Sequence, residues 1–336
     1  MNLKNYFMVA AIGLGAMSCQ TSDSDVELDT NLGKSSTPRS MQKTEAVHLN
    51  LNRKPATKGE SSPMDFMVVI NQALQSQGIS VQLSVIESYG SDGTGNTVYF
   101  NDRGNKQLAA DFVPFDPNRG GFSDIAYARD GTEGFTSSGL SQIDTDGAIL
   151  NAMNTWNNVS CSSGLVLTNL GASPFDLGYV QAIVSGGASG SFFFTDIMHS
   201  GFNTEVTDAV FGPGSNVLGV TFTFIWGDYD ENGDFIPSDI DNNRKNDVAF
   251  RDIYYNDAYP WSVDGSGIDV ETVVLHESGH GLSQAHFGKL FQGEKNEKFH
   301  FAPRALMNAG YTGIQRTIGE SDNAGHCSNW AQWPNN

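Results

Sequence analysis

The run Val273-Val274-Leu275-His276-Glu277-Ser278-Gly279-His280-Gly281-Leu282-Ser283-Gln284-Ala285-His286 constrains this chain more than any other stretch. On a helix, residues four apart share a face, so His276 and His280 present two imidazoles to one point. Val273, Val274 and Leu275 just before them demand that this helix be packed against a core. Its start is expected at Asp269, whose side chain can cap it, with Glu271 suited to the positive end of the helix dipole. Two imidazoles at this spacing suit a transition metal. Glu277 falls beside them, placed to take a proton from water that such a metal activates. A third ligand has to come from outside the helix. His286 supplies it if the helix stops soon after His280 and the chain turns back; a downstream carboxylate, Glu294 or Glu320, is the alternative. His300 and His326 read as surface or tail histidines.

The spacing resembles the metzincin signature of zinc peptidases, His-Glu-x-x-His-x-x-Gly-x-x-His, with Ser283 standing where that family usually has Gly. Either Ser283 adopts a left-handed conformation at some energetic cost, or Gly281 relaxes the helix end earlier. Downstream, Ala305-Leu306-Met307-Asn308 resembles the family's methionine turn, which implies that Met307 packs beneath the metal without ligating it. Ile268 to Leu275, and an earlier helix ending in Trp156, are most like the matrixin branch. The resemblance covers about residues 120 to 320. It implies an α/β (α+β) catalytic domain with a twisted mixed sheet and an active-site helix, acting as a zinc endopeptidase on extracellular proteins or peptides. His276, His280 and His286 would hold Zn2+, and Glu277 would be the general base. The strand before the active helix, Val248 to Tyr255, would lie near the cleft and pair with an extended peptide. The specificity pocket would follow Met307, through Gly310 to Ile314, and Tyr311 reads as core or rim packing. The alternative is a catalytically inactive metal-binding surface lipoprotein or an adhesin, against which the intact Glu277 speaks.

Lys4, the short apolar run Tyr6 to Met17, and Ala16-Met17-Ser18 leading into Cys19 have the anatomy of a secretory signal, too short to span a bilayer. The cysteine resembles that of a bacterial lipoprotein signal, which implies lipidation of Cys19 and an exported, membrane-anchored protein of the cell envelope or surface. A plain secretory signal is the other reading. Residues 20–61, rich in Ser, Thr, Asp, Lys and Asn, read as a flexible tether. A small α+β unit is expected over 62–117, with a helix from Asp65 toward Gly78 and strands at Ile79 to Val85, Asn96 to Phe100 and Gln107 to Phe112. The zinc-peptidase-like domain then takes 118–336. Its expected strands lie at Asp124 to Ala128, Leu165 to Leu167, Tyr179 to Val184, Val217 to Trp226 and Val248 to Tyr255, with a helix at Ala148 to Trp156. Many matrixins are held inactive by a propeptide cysteine. Here the signal consumes the N-terminal Cys19, so cysteine-type latency is not expected, and whether 62–117 inhibits, binds substrate or only supports the fold stays open.

A formal net charge of −19 argues against nucleic acid as a partner, because its phosphates would be repelled. With Cys19 lipidated, Cys161 and Cys327 remain, either bridged or as two thiols. The loop Asp228, Asp230, Asn232, Asp234, with Gly233 sixth and Asp239 twelfth, resembles a calcium-binding loop of EF-hand type. A solvated acidic loop is its alternative.

Overall fold

β-branched and aromatic residues make up about half or more of two long stretches, Val217–Tyr229 and Asn246–Tyr255, a composition that suits buried strands. In the computed structural model they are neighbours in the middle of a nine-stranded mixed sheet. The structure describes residues 39, 42–45, 62–100, 110–185, 191–292 and 299–335. The expected signal, Cys19 and most of the expected tether lie outside these.

In chain order the sheet contains β1 (Val81–Gly90), β2 (Asn96–Tyr99), β3 (Ala110–Asp111), β4 (Ile125–Asp130) and β5 (Leu167–Ser173). It continues with β6 (Ile197–Phe202), β7 (Val217–Tyr229), β8 (Phe235–Pro237) and β9 (Asn246–Tyr255). The spatial order is β2-β1-β7-β9-β6-β4-β5, with β3 added to β9 and β8 to β7. From β9 to β5 the main strands run parallel, whereas β9, β7, β1 and β2 alternate in direction. The helices are α1 (Pro63–Ser76), α2 (Gln142–Asn157), α3 (Tyr179–Val184), α4 (Thr204–Phe211), α5 (Val270–Gly281) and α6 (Glu320–Trp330).

The helices cover both faces, because the strands send apolar residues both ways. On one face, Trp156 of α2, Val273 and Val274 of α5 and Trp330 of α6 pack with Leu218 of β7 and Ile253 of β9. On the other, Phe66 and Ile70 of α1, Ile183 of α3 and Val206 of α4 pack with Phe222 of β7 and Tyr254 of β9. Cys161 and Cys327 are joined in a disulfide that ties the end of α2 to α6. No described helix is long and apolar enough to cross a membrane.

Four expectations are corrected. First, 62–117 is not a unit apart. β1 lies inside the sheet between β2 and β7, and Asn71 of α1 bonds both the amide and the carbonyl of Leu83 at 2.8 and 2.9 Å. Those bonds serve the backbone where the β1–β7 register slips between Leu83 and Val85, and residues Thr37–Asn336 form one compact unit. Second, Tyr179–Val184 is helix, not strand. Tyr179, Val180 and Ile183 are buried along one side of it, and β9 supplies acceptors for its first-turn amides. Asp252 takes Val180 N and the Tyr254 hydroxyl takes Gln181 N, both at 2.9 Å, a long-range cap invisible to local pattern. Third, part of the tether belongs to the folded body: Arg39 pairs with Asp196, and Gln42–Glu45 pairs with Ser191–Phe194. Fourth, β9 has no free edge for a peptide, since β7 and β6 flank it.

If β1 is an integral strand, removing the buried Leu83 side chain must weaken the whole body. Leu83→Ala is expected to cost about 2–5 kcal/mol in a single cooperative urea transition. A separate early transition, with the rest unaltered, would restore the two-unit description.

Candidate metal centre

α5 starts where Asp269 accepts from Thr272 N at 2.9 Å, the expected cap. It stops at Gly281, and Ser283 then takes φ +64°. A serine in this left-handed region is strained, and its side chain offsets the cost. Arg251 of β9 donates to Ser283 Oγ at 2.9 Å and to the Gly281 carbonyl at 2.7 Å. The turn so fixed returns the chain, and His286 reaches the other two imidazoles.

The three Nε2 atoms stand 3.1 to 3.2 Å apart. His276 Nδ1 donates to the Leu306 carbonyl and His280 Nδ1 to the Gln284 carbonyl, each at 2.7 Å. Carbonyls only accept, so both Nδ1 atoms carry a proton, and in the neutral ring that leaves both Nε2 lone pairs bare, although Glu87 beside His280 favours its charged form. With the His286 Nδ1 proton on Thr97 Oγ1, 3.1 Å away, the third lone pair joins them. Three converging lone pairs repel one another unless a cation sits among them. An ion about 2.05 Å from each, the usual Zn–N distance, would see angles of about 100°, near tetrahedral. Burial holds His276 and His286 well below the ordinary imidazole range, hence neutral as ligands must be. The donor set fits zinc, and His286 rather than a carboxylate completes it. Glu320 opens α6, and Glu294 lies outside the described residues.

Glu277 is fully buried beside this triad. Its Oε2 accepts from Thr221 Oγ1 at 2.6 Å, while Oε1 is buried with no hydrogen-bond partner. Burial pushes the carboxyl up to about 7; a cation on the neighbouring imidazoles would oppose that rise. The close approach depends on Gly219 of β7, where a Cβ would stand 2.7 Å from Glu277 Oε1. Beneath α5, Met307 Sδ lies where a Cβ on Gly279 would come within 2.4 Å. Met307 thus fits under the helix between the two histidines. Asp322 of α6 holds that turn by accepting from Leu306 N and Met307 N at 2.9 and 3.0 Å.

The hairpin of β1 and β2 lies over the triad. The Tyr89 ring stacks on His276 with centroids 3.8 Å apart. Glu87 Oε1 is 3.1 Å from His280 Nδ1, adding a carboxylate behind that imidazole. Gly90 donates to the Ala309 carbonyl at 3.1 Å and accepts from Tyr311 N at 2.8 Å. The backbone of β1 therefore runs antiparallel to β7, and its end runs parallel to the segment after Met307. That segment, expected to shape a specificity pocket, is paired with the chain itself. The Tyr311 hydroxyl takes Asp269 N at 3.2 Å and does not serve the triad.

Other expected residues fall elsewhere. His326 is buried, stacked on Trp156, with Nε2 2.8 Å from Ser162 Oγ, so it is a core residue and not a tail histidine. The expected calcium loop does not converge. Asp230 Oδ1 accepts from Asn232 N and Asp234 N at 2.8 Å and so closes the turn between β7 and β8, with Gly233 left-handed. Asp228 accepts from Ser80 Oγ. Of the five residues only Asp239 joins a carboxylate group, with Asp241 and Asp247. Sequence reasoning missed Arg251, Thr221, Glu87, Tyr89, Thr97 and Asp322, which carry no spacing signal because each arrives from a distant element.

This chain matches no protein-family model, and no curated protein matches it.

His280→Ala and His286→Ala are each expected to lower bound zinc from about one ion per chain toward none, measured by atomic emission after dialysis, with the circular dichroism spectrum retained. Undiminished zinc in both variants would place the ion elsewhere.

Proposed function

We propose that this protein is a zinc endopeptidase of metzincin-like, matrixin-like type, held latent by its own β1–β2 hairpin and exported as a lipoprotein. The observation that carries the reading is the buried carboxylate Oε1 of Glu277, unpartnered beside three converging imidazoles. A site that merely stores metal has no use for such a carboxylate, whose burial is costly. When bound, zinc supplies a Lewis acid that polarises a carbonyl and makes water acidic near neutral pH. His276, His280 and His286 would hold it, oriented by the Leu306 and Gln284 carbonyls, Glu87 and Thr97. Glu277 accepts the proton of the attacking water at Oε1 and passes it to the leaving amine nitrogen. Thr221 fixes Oε2, so Oε1 is the oxygen left free for this exchange.

An extended peptide binds by adding a strand to an open edge. The outer edge of β7 beside Glu277 is taken by β1, and the backbone after Met307 is taken by Gly90. The hairpin thus occupies the position an extended peptide would need, with no cysteine involved. Cys19, the tether and the leader favour a location in the cell envelope or at the surface, with protein or peptide substrates.

The test loosens the hairpin where it touches the imidazoles. Tyr89→Ala, which removes the ring stacked on His276 and leaves every hydrogen-bond partner of the imidazoles in place, is expected to raise cleavage of a denatured protein mixture at least about tenfold over wild type, since steric access is released. New termini are read by mass spectrometry. Adding Glu277→Gln, or a zinc chelator, should abolish them. Cleavage that persists in the Glu277→Gln background rules out this mechanism, and equal cleavage by wild type and loosened protein rules out the latency.

A further inference from the structure

One face of β1 is turned to the imidazoles, and the side chains on it come from alternate residues. Tyr89 stacks on His276, and Glu87 Oε1 is 3.1 Å from His280 Nδ1. Val85 lines a cavity together with Glu87, Tyr99, Thr223 and Arg251. Ile86, between them, packs into the opposite layer with Phe66. Val85, Glu87 and Tyr89 pair in register with Thr223, Thr221 and Gly219 of β7. Arg251 brings a positive charge to this cavity. Its Nε donates to Thr223 Oγ1 at 3.1 Å, its Nη1 to the Gly281 carbonyl and Ser283 Oγ, and its Nη2 to the Ala110 carbonyl at 3.4 Å. These four acceptors are all uncharged, and among the described residues no carboxylate lies within ion-pair distance of the guanidinium. A guanidinium has five N–H donors, so one is unspent. Glu87, itself 6% exposed, supplies the nearby negative charge, which acts against the burial that pulls Arg251 down. Asp111, the other carboxylate that Arg251 feels, is already paired with Lys245 at 2.6 Å.

Resting on the peptidase reading, we infer that the place Glu87 holds on β1 is a subsite for an acidic side chain, selected by Arg251 and by the Nδ1–H of His280. The substrates are then extended peptides with Asp or Glu about two residues before the one lying over His276. A peptide that takes the place of β1 runs antiparallel to β7 as β1 does, so its alternate side chains fall where Val85, Glu87 and Tyr89 stand. When Glu87 leaves with the hairpin, Arg251 keeps its charge in a buried place and loses the carboxylate nearest to it. An incoming carboxylate restores the balance. An apolar or amide side chain leaves the buried charge uncompensated, which is costly, and a basic one adds repulsion. Discrimination comes from those penalties as much as from the attraction. The guanidinium is also held in advance, because its bonds to Gly281 and Ser283 do not involve the hairpin.

Two measurements on the purified full chain test this. Glu87→Ala and Glu87→Ser each open a space beside Arg251, and their thermal unfolding is followed in sodium acetate, acetamide and sodium chloride at equal concentration and pH. Acetate at about 0.2 M is expected to raise Tm of both variants by about 2–4 °C over chloride, with acetamide without effect and wild type unmoved. The second measurement maps by mass spectrometry the bonds that the Tyr89→Ala protein cuts in a denatured protein mixture. Asp and Glu are expected to be enriched at least about fivefold at about two or three residues before the bond cut. Adding Glu87→Gln, which removes the carboxylate competing for the place, should raise cleavage at those sites. An acetamide effect equal to that of acetate, or no response to acetate in either variant, would overturn the inference. Cleavage without acidic preference would overturn it too, while leaving the peptidase reading intact. Acetate response with no cleavage by any form would remove the peptidase reading and keep Arg251 as a carboxylate site.

Discussion

A single buried guanidinium connects the sheet to the end of the histidine helix. Arg251 is 3% exposed in the middle of β9, and burial pulls it down to about 10, which still leaves it charged at neutral pH. It donates to Thr223 of β7, to the Ala110 carbonyl of β3, and to Gly281 and Ser283 beyond α5. A buried charge must spend its donors on fixed acceptors, so its partners are held in one arrangement. That arrangement includes the left-handed Ser283. Without that turn, a helix continuing past Gly281 would carry His286 away from His276 and His280. The place of the third imidazole therefore depends on a residue thirty-five places upstream of it.

The same sheet that fixes the triad also covers it. β7 offers Gly219 and Thr221 to Glu277 from its face and gives its outer edge to β1. Apolar burial holds β1 there: Leu83 and Ile86 pack with Phe66 and Ile70 of α1 in the layer opposite α5. Tyr89 and Thr97 then fall on His276 and His286 because the hairpin register brings them there. Stability and access to the imidazole triad are thus joined in one element, and loosening one affects the other.

Much of the site was legible from local rules. The spacing of His276 and His280, the cap at Asp269 and the need for a turn at Ser283 all follow from helix geometry and backbone sterics. The long apolar strands were legible for the same reason, since a stretch such as Val217–Tyr229 has few other stable states. Tyr179–Val184 was misread because six residues carry too little periodicity and the helix is capped by Asp252 and Tyr254 from β9. The acidic loop was misread because oxygen spacing along the chain does not say which oxygens turn toward one another. Asp230 spends its own on the amides of its turn, and Asp239 turns to Asp241 and Asp247 instead.

By itself the sequence determined what is local: a capped helix with two imidazoles and a carboxylate on it, a turn due soon after His280, at Ser283 or already at Gly281, and strands apolar enough to need two covered faces. Only the tertiary structure decided that β1 joins the sheet at β7, that Cys161 meets Cys327, that His326 is a core residue, and that Arg251, Thr221 and Glu87 serve the triad. The division has one physical cause. Backbone sterics and helix periodicity act over a few residues and leave a pattern in the chain. Strand pairing and the partners of buried polar groups depend on which distant surfaces exclude water together.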